Sequence, residues 1–298
     1  MALRIAFFGL PLAALLLKHD GHDLVLAALS RTDSVGLRRA RRVFGERLLL
    51  KPKVGDPALR ARLRALAPDL LVSWFWTTRL PMTLVKEARL GGIGAHPSLL
   101  PRHRGPDPTY WAIASGDRET GVSVHRIEAE YDTGEVLAQE RLSIDPRWTA
   151  WELARALDRP SLRTLRATVA RFAQGDTVNG VPQDPTLATE APVPDDEAAA
   201  IRWSWPTDRV LRQVRALAPS PGAWTEIAGQ VVVVTRAAAA PHFPAALEPG
   251  EGVNDGGLAL VRTGDGAVAL LAGEIEGVPA DAKELAALFL PPSPLVIG

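Results

Sequence analysis

The sequence predicts an α/β domain with a mainly parallel sheet, followed by a smaller all-β barrel domain. Three observations carry this. Over residues 4–96, short apolar runs ending in Gly or polar residues alternate with helix-period stretches, the pattern of a parallel sheet covered by helices. Residues 174–200 are rich in Pro, Gly, Asp and Thr without periodicity, which reads as a linker. Beyond them, short apolar runs are punctuated by Gly and Pro, as in small barrels. The division is therefore 1–173, a linker 174–200, and 201–298, and 298 residues suffice for two cores.

Arg4 to Gly9 is an apolar run closed by glycine and reads as a buried first strand. A helix follows to Lys18, and the His19-Asp20-Gly21-His22 turn leads into a second strand from Leu24 to Leu29. Residues 57–66 place Leu59, Leu63 and Leu66 on one helical face. Asp69 to Ser73 is a third strand, and Gly92 to His96 a fourth. In open parallel sheets ligands bind at the carboxyl ends of strands, where Trp74-Phe75-Trp76 and Ala95-His96 fall. Residues 121–127 alternate and Glu135 to Gln139 continue the pattern, which predicts a hairpin around Asp132-Thr133-Gly134. Ala150 to Ala173 is helical, as is Thr207 to Leu217. Residues 231–234, 258–261 and 268–271 are strand candidates, and no internal repeat is present.

Composition narrows the function. With no cysteine, disulfides, thiolate metal sites and a cysteine nucleophile are excluded, and no metal is expected. The absence of cysteine fits a reducing cytosol, and no signal peptide or membrane-spanning run is read, so a cytoplasmic location is expected. The formal charge of zero conceals an asymmetry: residues 1–172 carry a net +9, residues 173–200 a net −6, and residues 201–298 a net −3. An anionic ligand is attracted to the first part and repelled by the rest.

His96 follows an apolar strand and precedes a Pro-bounded turn, where a side chain can face a cleft. Alone, such a histidine is more often a structural hydrogen-bonder, and Asp-x-Gly is a common turn sequence without chemistry. Spacing does not show that His96 and Asp132 meet.

In combination these residues resemble a known family. The run Gly-x-His-Pro-Ser-Leu-Leu-Pro-x-x-Arg-Gly from Gly94 to Gly105, the Gly116-Asp117-x-x-Thr120-Gly121-Val122 stretch, and Asp132-Thr133-Gly134 resemble the core of the methionyl-tRNA formyltransferase family. Arg4 to Leu16, residues 67–81 ending Arg79-Leu80-Pro81, Ile201-Arg202-Trp203-Ser204 and the Val214 to Trp224 segment are similar to its flanking parts, so the resemblance covers nearly the whole chain. It implies a Rossmann-like formyltransferase fold with an OB-like carboxyl-terminal barrel.

The resemblance also implies transfer of a formyl group to an amine from 10-formyltetrahydrofolate, or use of another tetrahydrofolate one-carbon derivative. An amine attacks the formyl carbon, the oxyanion needs donors, and a proton leaves the amine. By position, His96 is expected to donate to the formyl oxygen, with Asp132 orienting it and taking up the amine proton. Gly94 stands where the family has asparagine, a lost donor worth on the order of 10²–10³ in rate. The site is weak or dead, or another group fills the gap, or the carbon unit needs no oxyanion stabilisation; retained one-carbon transfer is favoured because His96 and Asp132 persist as a pair. The expected folate pocket comprises Trp74, Phe75, Trp76, Leu80, Ser98, Leu99, Leu100, Pro101 and Tyr131. Three consecutive aromatics cannot all point inward from one strand, so at least one faces the cleft. Arg102 and Arg104 are candidates for folate glutamates or an acid group of the acceptor, with Arg104 alternatively bracing its loop, and Tyr110 and Trp111 are read as packing.

Arg38, Arg39, Arg41 and Arg42 form one basic cluster, either a solvated helix face or a polyanion contact. The acidic linker and final domain weigh against tRNA, so a small amine is the expected acceptor. A methionyl-tRNA acceptor is the first alternative; a folate-binding protein without turnover is another. No signal of oligomeric state is present.

Overall fold

The computed structural model describes residues 1–289, which fall into two compact units. The first comprises residues 1–108, 119–143 and 156–191, and the second residues 109–118, 144–155 and 192 onward.

In chain order the first sheet and its helices are β1 (Arg4–Gly9), α1 (Pro11–His19), β2 (Asp23–Leu29), α2 (Leu37–Phe44), β3 (Leu48–Leu50), α3 (Pro57–Leu66), β4 (Leu70–Trp74), α4 (Met82–Val85), β5 (Gly92–His96), α5 (Pro108–Ala114), β6 (Glu119–Arg126), β7 (Val136–Ser143) and α6 (Ala150–Gln174). The strands form one seven-stranded sheet in the order β3-β2-β1-β4-β5-β6-β7. β3 to β5 along that order run parallel, and β6 and β7 are added antiparallel. The mainly parallel sheet predicted from the alternation is what forms.

Both faces of the sheet are dry, as the continuous apolar strands require. Ile5 and Phe7 of β1 pack on one side with Ala13, Ala14 and Leu17 of α1 and Leu165 and Val169 of α6. Ala6 and Phe8 pack on the other with Leu59 and Leu63 of α3 and Leu84 of α4. The period-2 strand thus feeds two cores from one sequence. Local signals start the helices: Pro11 stands at the first turn of α1, and Asp56 caps α3 by accepting from the Ala58 N–H, with Pro57 next. The tripeptide β3 was not expected; three leucines after a short helix carry no alternation to read.

The second unit contains α7 (Asp196–Ala199), α8 (Thr207–Leu217), β8 (Ala223–Ile227), β9 (Gln230–Ala239), β10 (Gly252–Asp255), β11 (Leu258–Arg262), β12 (Ala267–Ile275), β13 (Val278–Asp281) and α9 (Ala282–Ala286). Its six strands form an antiparallel sheet in the order β10-β11-β12-β9-β8, with β13 pairing β12. Register shifts at Leu270, Ala272 and Gly273 bend β12, and Val232, Val234, Val268 and Leu270 are fully buried. No helix among the described residues is long and apolar enough to cross a membrane.

The stretch read as linker is largely irregular, yet part of it is bound tightly. Val181 pairs with Val136 of β7, and Glu190 bridges to Arg104. Composition does not separate an extended strap, whose backbone groups find partners, from a loose tether.

Candidate functional site

The site is built at the carboxyl end of β5 and on the neighbouring β6. These two strands pair antiparallel, with Gly94 opposite His125 and His96 opposite Ser123. Directly opposed residues put their side chains on the same face, and so do positions two apart on one strand. Gly94, His96, Ser123 and His125 therefore share a face, and both imidazoles are buried, at 6% and 5% exposure.

The β6–β7 connection returns Asp132 over this face. His96 Nδ1 lies 3.4 Å from Asp132 Oδ2, and His125 Nε2 lies 3.4 Å from Asp132 Oδ1. The Gly105 N–H donates to Oδ2 at 2.9 Å. The structure thus brings His96 and Asp132 together, as spacing alone did not show, and adds His125, which the sequence reading missed. The register of β6 against β5 is what reveals it, and a shift in the β6–β7 ladder between Val124 and His125 hides that register from simple alternation.

Each imidazole is tied at its other nitrogen. His96 Nε2 is 2.8 Å from the His103 carbonyl oxygen, and His125 Nδ1 is 2.8 Å from the Arg126 carbonyl oxygen. A carbonyl only accepts, so these two nitrogens carry the N–H and donate. Burial lowers the pKa of His96 against the attraction of Asp132. Burial also disfavours the Asp132 carboxylate, but charge on His96, the His125 hydrogen bond and the Gly105 N–H outweigh it and hold the carboxyl far below the usual range. The two directions concern different pH ranges: Asp132 titrates in acid, where imidazoles are charged, whereas His96 turns neutral early as pH rises.

A loop and the strap frame this cluster. His103 is buried with a left-handed φ of 60°, and its N–H donates to Thr189 Oγ1 at 2.8 Å. Arg104 forks onto Gln183 Oε1 at 3.0 and 2.8 Å, and Gln183 Nε2 donates to the carbonyls of Asp132 and Gly134, both at 2.7 Å. Arg104 therefore braces the loop, the second of its two expected readings, and Gln183, which sequence reasoning missed, positions the aspartate turn. Replacing Gln183 by alanine leaves these partners without it, so we expect a loss of about 1–3 kcal/mol in unfolding free energy, checked by denaturant titration. A loss below ~0.5 kcal/mol contradicts this role.

The aromatic run is divided. Trp74, expected in the pocket, is instead core: it is 3% exposed and its indole N–H donates to Ser161 Oγ at 2.8 Å. β4 ends there, and Phe75 takes a left-handed φ of 54°, which breaks the alternation. Phe75 packs edge-on against Trp74 at 4.7 Å, and Trp76 edge-on against Phe8 at 5.4 Å. The Trp76 indole N–H is buried and has no hydrogen-bond partner among the described residues. Leu80 belongs to the apolar cluster beneath α3 and α4, and Leu100 is buried. Ser98 is fully buried and spends its hydroxyl on the Arg102 carbonyl at 2.6 Å, while Leu99 packs over Gly121. Pro101 is half-buried and accepts from the Thr189 N–H at 3.3 Å; Arg102 is exposed. Tyr131 is 53% exposed and is not enclosed as a pocket wall. Tyr110 and Trp111 pack edge-on at 5.2 Å, as read from sequence. No group of three or more His, Cys, Asp or Glu among the described residues is arranged to hold a metal.

Comparison with known proteins agrees with this architecture. A formyl transferase family profile matches residues 18–169, and one for the formyl transferase C-terminal domain matches residues 195–288. The chain is 36% identical over 294 residues to a methionyl-tRNA formyltransferase of Anaeromyxobacter dehalogenans, covering 93% of this chain and 94% of the relative. It is 30% identical to one of Pelotomaculum thermopropionicum, covering 92% of each. Among solved structures it is similar to HypX from Aquifex aeolicus in complex with tetrahydrofolic acid, with a TM-score of 0.69, 21% identity, and coverage of 98% of this chain and 49% of that one. It is also similar to the N-formyltransferase from Helicobacter canadensis with folinic acid and dTDP-3-aminofucose, with a TM-score of 0.68, 14% identity, and coverage of 90% and 98%.

Proposed function

The chain belongs to the formyl transferase family, and from that premise we propose that it formylates the amino group of methionyl-tRNA. It is a folate-dependent enzyme, and 10-formyltetrahydrofolate is the donor. The residues present suit that group: the orphaned indole N–H of Trp76 wants an acceptor of the kind a pteridine carries, and Phe75 and Trp76 offer apolar walls beside it. When bound, the folate supplies a formyl carbon on nitrogen. We assign residues 1–173 to the chemistry, together with the strap to Ala191.

Proton handling falls to the pair described above. His96 keeps its N–H on the His103 carbonyl, so its Nδ1 is the face that accepts. Beside the Asp132 carboxylate, that nitrogen takes up the proton the acceptor amine loses.

The observation that carries the tRNA reading is the near-complete match to relatives of that name, across both family domains. α2 adds to it: Leu37, Ala40 and Phe44 are buried, so Arg38, Arg39, Arg41 and Arg42 form an exposed face, and none of the four is in an ion pair among the described residues. The net −6 of residues 173–200 and net −3 of 201–298 favour a second reading, a small-amine acceptor.

Formylation assays separate them. We expect methionyl-tRNA to be formylated with a KM that rises steeply with salt, and changing all four α2 arginines to glutamine to weaken binding ~10²-fold at 50 mM salt and flatten the slope by about 3. Formylation of free amines but not of methionyl-tRNA refutes the proposal.

A further inference from the structure

We infer that His125, through Nε2, donates the hydrogen bond to the formyl oxygen that position 94 lacks a side chain to give. The inference rests on formyl transfer at this site and names one of its donors.

Position 94 is not glycine for backbone reasons. It lies inside β5 without a positive φ, and a Cβ placed on it meets no backbone. What it meets is His125: Nε2 at 3.4 Å and Cε1 at 3.8 Å, with Ile127 Cγ1 also at 3.8 Å. One carbon fits in ordinary contact; any longer side chain runs into the imidazole edge. The volume left by the missing side chain is thus filled from the opposite residue of the neighbouring strand, since Gly94 and His125 face each other across the β5–β6 ladder. A polar edge stands there, and it is a nitrogen.

Hydrogen bonding fixes what that nitrogen can do. His125 spends Nδ1–H on the Arg126 carbonyl, so Nε2 is the free end of a ring whose tilt is set. Nε2 faces the Asp132 carboxylate at 3.4 Å, where a bare lone pair repels and a proton attracts. That distance exceeds a good hydrogen bond, so an N–H there is not locked to the carboxylate and can turn to a second acceptor. His96 offers no such donor: its N–H is held by the His103 carbonyl at 2.8 Å, and a second proton on Nδ1 is opposed by burial. His96 and His125 therefore divide the work around one carboxylate, the first accepting and the second donating, in a site closed to bulk water where such a donor acts strongly.

In the transfer, the acceptor nitrogen bonds to the formyl carbon and the carbon–nitrogen bond to the folate breaks. The acceptor loses one proton, the folate nitrogen gains one, and charge that gathers on the formyl oxygen in between is met by Nε2–H.

The test uses the full chain with 10-formyltetrahydrofolate and methionyl-tRNA, and separately the affinities for 10-formyl-5,8-dideazafolate and 5,8-dideazafolate. His125→Ala is expected to lower kcat on the order of 10²-fold, with the folate KM within about threefold. It is also expected to abolish the preference for the formylated analogue, a readout independent of any acceptor. His125→Gln, which keeps an N–H, is expected to retain kcat within about tenfold and guards against a folding defect in the alanine variant. Gly94→Asn with His125→Ala is expected to regain at least about tenfold over His125→Ala alone. A His125→Ala enzyme within about fivefold of the parent, or one with the formyl preference unchanged, overturns the inference and leaves formyl transfer standing. A parent protein that neither transfers formyl nor discriminates the two analogues removes the reading beneath it.

Discussion

An Asp132→Asn enzyme is expected to lose roughly 10³–10⁴-fold in kcat while binding folate nearly as well, because the change removes charge and almost nothing else. Asparagine keeps the size of the side chain and an oxygen for the Gly105 N–H, now 2.9 Å away. It does not compensate a proton arriving on His96 or one held on His125, both 3.4 Å from the carboxylate. An amide also points an N–H at one imidazole that has no lone pair to spare. Single-turnover formyl transfer measures the effect; a loss under about tenfold means that Asp132 only shapes its turn. The same group sets a pH signature. The Asp132 pKa is depressed on folding, so its stabilisation is full above the unfolded value near ~3.9 and is lost as pH falls toward the folded one. His96 is depressed as well, so the folded state loses ground to the unfolded chain as pH falls below about 6.5. Both signs make the parent weaker in acid, and Asp132→Asn is expected to flatten the profile.

Gly134→Ala is expected to cost about 2–4 kcal/mol of stability and to lower kcat on the order of 10²-fold. A Cβ at this position lies 2.0 Å from the Arg126 carbonyl oxygen and 2.7 Å from its carbon, contacts that no side-chain rotation relieves. The turn has to lift, and Asp132 rises with it, away from two imidazoles that already stand at the limit of hydrogen-bonding reach. Gly55→Ala is the control: its Cβ meets nothing within 4 Å and its φ is not positive, so no loss beyond ~0.5 kcal/mol is expected. Denaturant melts and kcat of the two variants, side by side, decide it; equal stability of both refutes the close-approach argument.

The sequence carried the fold well where one signal sufficed. Arg4–Gly9 and Leu70–Trp74 are apolar runs with clean ends, and Pro57–Leu66 has both a cap and a periodic face. It carried His96 and Asp132 because each ends a recognisable motif. It did not carry what depends on register or on long-range pairing. His125 is one alternating residue among several until β6 is aligned on β5, and Gln183 is an unremarked amide in a Pro-rich stretch. Trp74 was placed in the pocket because a strand's last residue faces a ligand or the core by parity alone, and Phe75's left-handed backbone resets that parity for the residues after it.

The strap gives the chain a seam that composition misplaces. The change in residue content falls at 174, yet the Arg104 fork, the carbonyls of Asp132 and Gly134, and the His103 N–H are completed by Gln183 and Thr189. A module lifted out at the compositional border leaves these groups bare, whereas one ending after Ala191 carries them whole. For anyone exchanging carboxyl-terminal parts between relatives, the interchangeable unit begins at Pro192, and the acidic tether on its near side travels with the chemistry rather than with the cargo.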